Sequence, residues 1–263
     1  MKRTLQFIFF LSLASTLAAA EPEAKWWKGN LHTHTHWSDG DDYPEQIAKW
    51  YKTNGYHFLT LTDHNTLQKG ERWIDVMKSK GGPPAFVKYS IDWGEDWVQT
   101  RTREGRQEVR LRTLEEFRKK LETPGSFLLM QGEEVTDRWK TAPVHMNATN
   151  LRELIEPQGG NNVYEVMQRN MNALQAQRKA TGQPMFLHLN HPNFGWGVTA
   201  EDLMKVKGEQ FFEVYNGHPS VRNIGDKTHA STERMWDIIN TRRLSELNMN
   251  IPVSYTHLTL PTN

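Results

Sequence analysis

The sequence predicts an α/β fold, an incomplete β/α barrel within one domain. Three observations carry this. Between residues 21 and 252, short apolar runs of strand length alternate with amphipathic helical patterns. Strand followed by helix, repeated, implies parallel strands joined by right-handed crossovers. His, Asp and Glu collect at the C-terminal ends of these strands, where a barrel builds its active site. The mean hydropathy of −0.73 is polar for a globular chain, yet 10 Trp, 11 Phe and 7 Tyr supply bulk for a core, so disorder is not expected.

In chain order, Asn30 to His34 reads as the first strand. A helix follows from Pro44 to Asn54, with Asp42 available as its cap, Pro44 in the first turn, Ile47, Trp50 and Tyr51 on its buried face, and Gly55 as its stop. His57 to Thr62 is a second strand. The polar stretch from about Gly70 to Thr123 reads as an insertion with one or two helices, including Leu114 to Leu121. Phe127 to Val135 is a third strand, and Val144 to Asn147 starts a fourth. A long helix runs from Val163 to Thr181 and ends at Gly182. Met185 to Asn190 is a fifth strand, after which Thr199, Glu201 and Asp202 open a short helix with a capping pattern. Phe211 to Tyr215 is a sixth, and Ser231 caps a last helix reaching about Leu247.

Both ends read differently from the middle. Lys2 and Arg3 precede an apolar run from Leu5 to Leu17, and Ala18, Ala19 and Ala20 form a small-residue cleavage pattern before Glu21, so residues 1–20 read as a secretory signal peptide. The run is shorter than the roughly 20 residues that span a bilayer, which argues against an anchor. A secreted or periplasmic protein is expected, with no membrane association after cleavage. At the other end, Val253 to Thr262 match, residue for residue, the translation of a transposon-based sequencing adapter, so residues 253–263 are expected to be an appended artefact; the alternative is a short strand over Pro252 to Leu258. On the first reading the domain of residues 21–252 is incomplete.

With no Cys, a disulfide scaffold, a zinc finger and a thiolate metal site are all excluded. A formal net charge of +1 without a basic block gives no case for nucleic acid. Eleven histidines remain to be explained. His32, His34 and His36 alternate along a strand, so all three can share one face, and two imidazoles at that spacing can chelate one ion. Asp39 follows, and Asp63 and His64 end the second strand. Glu133 and Glu134 end the third and point to opposite faces, so one of them can look into a shared centre. His145 lies in the fourth strand, and His191 ends the fifth. His188, inside an apolar strand, reads equally as a core residue or a supporting one, whereas His57, His229 and His257 have no partners in the pattern.

These motifs resemble those of the polymerase and histidinol phosphatase (PHP) domain family. The first is Leu31-His32-Thr33-His34-Thr35-His36-Trp37-Ser38-Asp39-Gly40, the second Leu61-Thr62-Asp63-His64-Asn65-Thr66, and the third Gly132-Glu133-Glu134-Val135-Thr136, followed by Val144-His145 and Asn190-His191-Pro192. The resemblance implies a distorted (β/α)7 barrel of the PHP type, here lacking its last strand and helix, with two or three divalent metal ions and phosphoester hydrolysis as the commonest activity. It implies that His32 and His34 hold one ion, that Glu134 bridges it to a second held by His145 and His191, and that Asp39 and His64 hold a third. The family's closing Asp-x-His motif has no counterpart, so the chain as written is expected to bind metal poorly and to be inactive.

A nitrogen and oxygen ligand set suits zinc, manganese or iron. The expected chemistry is attack of a metal-activated water on a small-molecule phosphomonoester, with His36 and Asp63 as proton-handling or supporting groups and Arg138, His218 and Arg222, with Lys140, as phosphate contacts. Export argues against histidinol phosphate, whose biosynthesis is cytoplasmic. Two other readings remain open: an amidohydrolase-like hydrolase of C–N or ester bonds, and an exported metal- or carbohydrate-binding module suggested by Trp26, Trp27, Trp37, Trp50, Trp93 and Trp97. The oligomeric state has no signature in the sequence.

Overall fold

The computed structural model describes residues 24–208 and 210–249 together with the backbone of 253–256. The fold is a mixed α/β half-barrel around one curled sheet. Its strands are β1 (Gly29–Asn30), β2 (Phe58–Leu61), β6 (Leu128–Trp139), β7 (Ala142–Thr149), β8 (Phe186–Leu189), β9 (Phe211–Tyr215) and β10 (Val253–Thr256), in spatial order β1-β2-β6-β7-β8-β9-β10. The remaining strands, β3 (Arg72–Asp75), β4 (Thr100–Arg103) and β5 (Arg106–Leu111), form a separate three-stranded sheet in the order β3-β5-β4. The helices are α1 (Pro44–Thr53), α2 (Gly82–Trp93), α3 (Leu114–Leu121), α4 (Val163–Thr181), α5 (Ala200–Leu203) and α6 (Thr232–Arg242).

The sheet is not all parallel, contrary to the sequence reading. β1, β2 and β6 pair in parallel, as do β8, β9 and β10, but β7 runs antiparallel to both β6 and β8. The cause is local. Only Lys140 and Thr141 separate β6 from β7, and a two-residue connection can close only an antiparallel hairpin. Lys140 takes a left-handed φ of 53° to make the turn.

Helix boundaries follow the capping chemistry. Asn162 accepts from the Glu165 amide to start α4, and Gly182 in a left-handed conformation ends it. Thr199 and Asp202 form a reciprocal capping box on α5, Thr113 and Glu116 one on α3, and Ser231 caps α6. Two details differ at α1. Tyr43, not Asp42, is its N-cap, since Asp42 is spent on the Tyr43 amide, and Trp50 is 40% exposed because the helix buries Ile47, Ala48 and Tyr51 instead.

The insertion carries more structure than the sequence reading assigned to it. Two helices are present, but β3, β4 and β5 were not anticipated: their alternation is masked by Arg on both faces, and Val109 and Leu111 are their buried anchors. Val109, Leu111, Val76, Tyr89 and Val98 pack with Trp37 and Tyr43, so the insertion closes directly over the segment that carries the first motif.

At the far edge, Val253–Thr256 pairs in parallel with β9 as a seventh strand, where the sequence reading has the barrel lacking its last strand. An open sheet edge accepts any extended backbone. Residues 1–20, with the leader, and residues 257–263 lie outside the described residues. Among the described residues, no helix is long and apolar enough to cross a membrane.

Strand alternation sorts the side chains cleanly. Leu59 and Leu61 of β2 and Leu129 of β6 pack against α1 and α3, and Met146, Ala148, Leu187 and Phe212 pack in the core that includes α4. The opposite face carries Thr60, Thr62, Glu134, Asn147, Thr149, His188, Asn190 and Glu213, each at most 1% exposed. The concave interior is therefore polar, and a buried polar interior requires partners for every group.

Candidate metal centre

The first motif leaves the sheet before its histidines. β1 ends at Asn30, Leu31 makes a bend, and the irregular stretch that follows is tied to β2 through the Thr33 carbonyl, which accepts from the Thr62 amide. The chain then turns: the Thr35 carbonyl accepts from the amides of both Ser38 and Gly40. This turn breaks the expected alternation after His34. His32 and His34 reach the centre, whereas His36 sits in the turn, its Nδ1 2.9 Å from the Gly40 carbonyl and its ring edge-on to Tyr43. Gly40 has no room for a side chain, because a Cβ there would lie 2.5 Å from the His34 carbonyl.

Glu134 is the hub. It is fully buried, and five imidazoles close on its carboxylate: His34 Nε2 at 2.7 Å, His145 Nδ1 at 3.1 Å, His191 Nε2 at 3.2 Å, and His32 Nε2 and His64 Nδ1 each at 3.4 Å. Asp39, 61% exposed at the rim, lies 2.7 Å from His34 Nδ1 and 3.6 Å from His64 Nε2. All seven residues expected as ligands thus meet in one cluster. Three sets have ligand atoms within 4.8 Å of one another: His32, His34 and Glu134; His34, Asp39 and His64; and His64, Glu134 and His145. His64 therefore stands near two of the anticipated positions, not one.

The electrostatics are those of a site built for positive charge. Burial alone would raise the Glu134 carboxyl, but the charges of His32 and His34 and the close approach of the His145 and His191 rings hold it well below its ordinary 4.5. Burial would likewise lower His32 and His34; Glu213 and Glu134 push His32 up to about 9, and Glu134 with Asp39 pushes His34 up to about 10. In the metal-free protein, protons on these rings supply the charge that the carboxylate demands. The residues fit divalent ions, for His34 Nε2, Glu134 Oε2 and His145 Nδ1 are buried without a hydrogen bond although they face each other at short range. Cations in the His32, His34 and Glu134 set and in the His64, Glu134 and His145 set would together satisfy all three, and nitrogen and oxygen donors suit zinc, manganese or iron.

Asp63 does not join the cluster as a proton-handling group. Its carboxylate accepts from the Thr35 amide at 2.7 Å, the Thr35 hydroxyl at 2.9 Å, the Ser38 hydroxyl at 2.7 Å and Gln68 Nε2 at 2.6 Å, so it anchors the turn that presents His34 and Asp39. His188 lies on the interior face, fully buried, and burial lowers its pKa to about 3. Glu133 points the other way, as expected: it accepts from the Ile155 amide at 2.6 Å, and burial pushes its carboxyl to about 8.

Of the expected phosphate contacts, Arg138 shares the strand face of Glu134 and Thr136 and is exposed beyond them, while Arg222 lies over the Trp196 ring at 5.1 Å. His218, whose Nδ1 accepts from the Ser220 amide, lines an open cleft of about 420 Å³ with Tyr215 and Arg222. Burial and the nearby charges of His191 and Lys80 lower His218. Lys140 closes the β6–β7 turn over Trp139.

Four contributors escaped the sequence reading. Glu213 sits 3.1 Å from His32 Nδ1; Asn190 donates to Glu134 at 2.9 Å; Thr136 Oγ1 is 2.5 Å from His64 Nδ1; and Lys80, from the insertion, lowers both Asp39 and His218 by its charge. Glu213 and Asn190 had a signal, since each is a polar residue at an interior position of an apolar strand. Lys80 had none, because its placement depends on how the insertion folds back.

No protein-family profile matches the chain, and no curated protein matches it. Solved structures similar to it include a two-domain protein from Bacteroides vulgatus containing a predicted PHP-like metal-dependent phosphoesterase, at 20% identity over 73% of this chain and 45% of that one, with a TM-score of 0.39. Others are a provisionally assigned metal-dependent phosphoesterase from Bifidobacterium adolescentis, at 12% identity over 89% and 88% of the two chains with a TM-score of 0.43, and PsfC from Pseudomonas syringae, at 10% identity over 87% and 74% with a TM-score of 0.40. The chain spans less than half the length of the first of these.

Proposed function

We propose that this protein is an exported metal-dependent hydrolase acting on a small phosphoester. The observation that carries the reading is Glu134, buried and ringed by five imidazoles at 2.7–3.4 Å. His32, His34 and Glu134 would hold one ion, Glu134, His145 and His191 a second, and Asp39 with His64 a third. Bound there, two or three divalent ions would supply Lewis acidity toward phosphoryl oxygens and lower the pKa of a water.

The chain's own residues do the rest. Asp63 holds the 35–38 turn in place. Burial lowers His36 below its ordinary 6.5, and its Nδ1 donates to the Gly40 carbonyl, so the neutral ring presents Nε2 as a proton acceptor. Lys80 and Arg138, with His218 on the cleft wall, are the cationic or donor groups placed to meet phosphate oxygens.

The test is hydrolysis by the metal-supplemented protein and its Glu134→Gln variant, with aryl phosphates and aryl amides in parallel. Phosphate release that disappears on chelation and in the variant supports the reading. Amide cleavage alone moves it to the amidohydrolase-like class, and tight metal binding without turnover makes the protein a binding module.

A further inference from the structure

We infer that Glu213 is a positioning residue that sets the orientation of proposed ligands of two different ions; the inference rests on the metal-centre reading above. The sequence makes the placement unavoidable. In Phe211-Phe212-Glu213-Val214-Tyr215, Phe212 enters the core shared with α4, so alternation turns Glu213 into the polar interior, where it is fully buried. A buried carboxylate survives only with strong partners, and the partners of Glu213 define its role.

One oxygen lies 3.1 Å from His32 Nδ1. An anionic acceptor there turns Nε2 toward Glu134, 3.4 Å away, and would keep the proton on Nδ1 when Nε2 holds an ion. The other oxygen accepts from the His191 backbone amide at 2.8 Å and from Asn216 Nδ2 at 3.0 Å. His191 is held at φ 22°, outside the regions that a histidine ordinarily adopts. The β8–β9 ladder registers Leu189 with Phe212, and just beyond that pair a side chain continues the connection between the strands. Glu213 thus orients the ring of His32, from the first motif, and clamps the strained backbone that delivers His191, from the loop after β8. Through Asn216, whose amide bonds to Asn223, it also ties both to the cleft loop that carries His218.

The experiment compares metal affinity, by chelator competition, for the full chain, Glu213→Gln and Glu45→Gln, the last removing an equally buried carboxylate whose partners are Tyr89 and Trp97 instead of a proposed ligand. Glu213→Gln should weaken affinity about 10- to 100-fold and shift the visible absorption of the cobalt-loaded protein, while Glu45→Gln leaves both unchanged. Unchanged affinity and spectrum in a folded Glu213→Gln protein overturn the inference alone; a wild-type protein that takes up no metal overturns it together with the metal-centre reading. A second measurement needs no variant. In the zinc-loaded wild type, histidine nitrogen NMR should find His32 protonated at Nδ1 and metal-bound at Nε2, and the reverse assignment overturns the inference even if Glu213→Gln fails to fold.

Discussion

Glu134, on the polar interior of the half-barrel, and Glu45, on α1 beneath the insertion, are both completely buried, and the two are treated in opposite ways. Glu134 faces five histidines, and its pKa is driven well below its ordinary value despite burial. Glu45, on α1 beneath the insertion, accepts from the Tyr89 hydroxyl and from Trp97 Nε1 at 2.7 Å, while its second oxygen has no partner; burial pushes its carboxyl up. A carboxylate surrounded by basic nitrogens is poised for a cation. One surrounded by neutral donors in an apolar wall is a structural joint. Burial alone therefore says nothing about function; the partners decide, since basic nitrogens hold Glu134 down while burial pushes up both Glu45 and Glu133, which lack them.

Glu134→Gln should have the largest effect: activity on a phosphoester falling by about three orders of magnitude, the equivalent of roughly 4 kcal/mol of transition-state stabilisation. A variant that stays active removes Glu134 from the centre of the site.

Tyr89→Phe should do the reverse. Deleting the donor to buried Glu45 costs about 1–3 kcal/mol of stability by urea denaturation and leaves metal content alone. If metal affinity drops with stability, the insertion is part of the centre, which is plausible geometry since Tyr89 stacks on Tyr43 at 3.9 Å and Tyr43 contacts His36.

The pH dependence isolates Glu45 itself. Its folded pKa lies above the ordinary 4.5, so the folded state keeps a proton that the unfolded chain releases. The stability this provides is complete below pH 4.5 and is lost as pH rises through the folded pKa. Glu45→Gln should therefore remove part of the fall in unfolding free energy on the alkaline side of 4.5, and parallel pH profiles for variant and wild type would contradict the assignment. The smallest effect expected is Thr113→Ala, which breaks the α3 capping box beside the insertion and costs about 1 kcal/mol.

The two regions also differed in how far the sequence revealed them. Polar residues at alternate positions of apolar strands, His145, Asn147, His188 and Asn190 among them, mark the interior face of the half-barrel, and side-chain caps at Asn162, Thr199 and Ser231 mark its helices. The seven clustered side chains were legible because most of them lie at or just past strand ends and because their motifs resemble those of the PHP family, which alone pointed to Asp39 as a ligand. The antiparallel β7 was not, because the two-residue turn at Lys140 and Thr141 contains no glycine or asparagine to announce it. The insertion's sheet was hidden because β4 reads Thr-Arg-Thr-Arg without an apolar residue and β5 offers only Val109 and Leu111 for alternation, while Arg101 and Arg110 pair with Glu108 and Glu116. Which of its two expected roles Asp63 takes was not legible for a simpler reason: a sequence shows a carboxylate next to a histidine, but not the four donors that occupy it.

The central claim is that the cluster around Glu134 is a metal centre. Elemental analysis of the protein after exposure to zinc, manganese or iron and removal of excess metal tests it most directly. Against the expectation from the missing Asp-x-His motif, the cluster of seven residues around Glu134 predicts at least one tightly held divalent ion per chain in the wild type and its loss in Glu134→Gln. A wild-type protein that retains none, or a variant that retains as much, would contradict it.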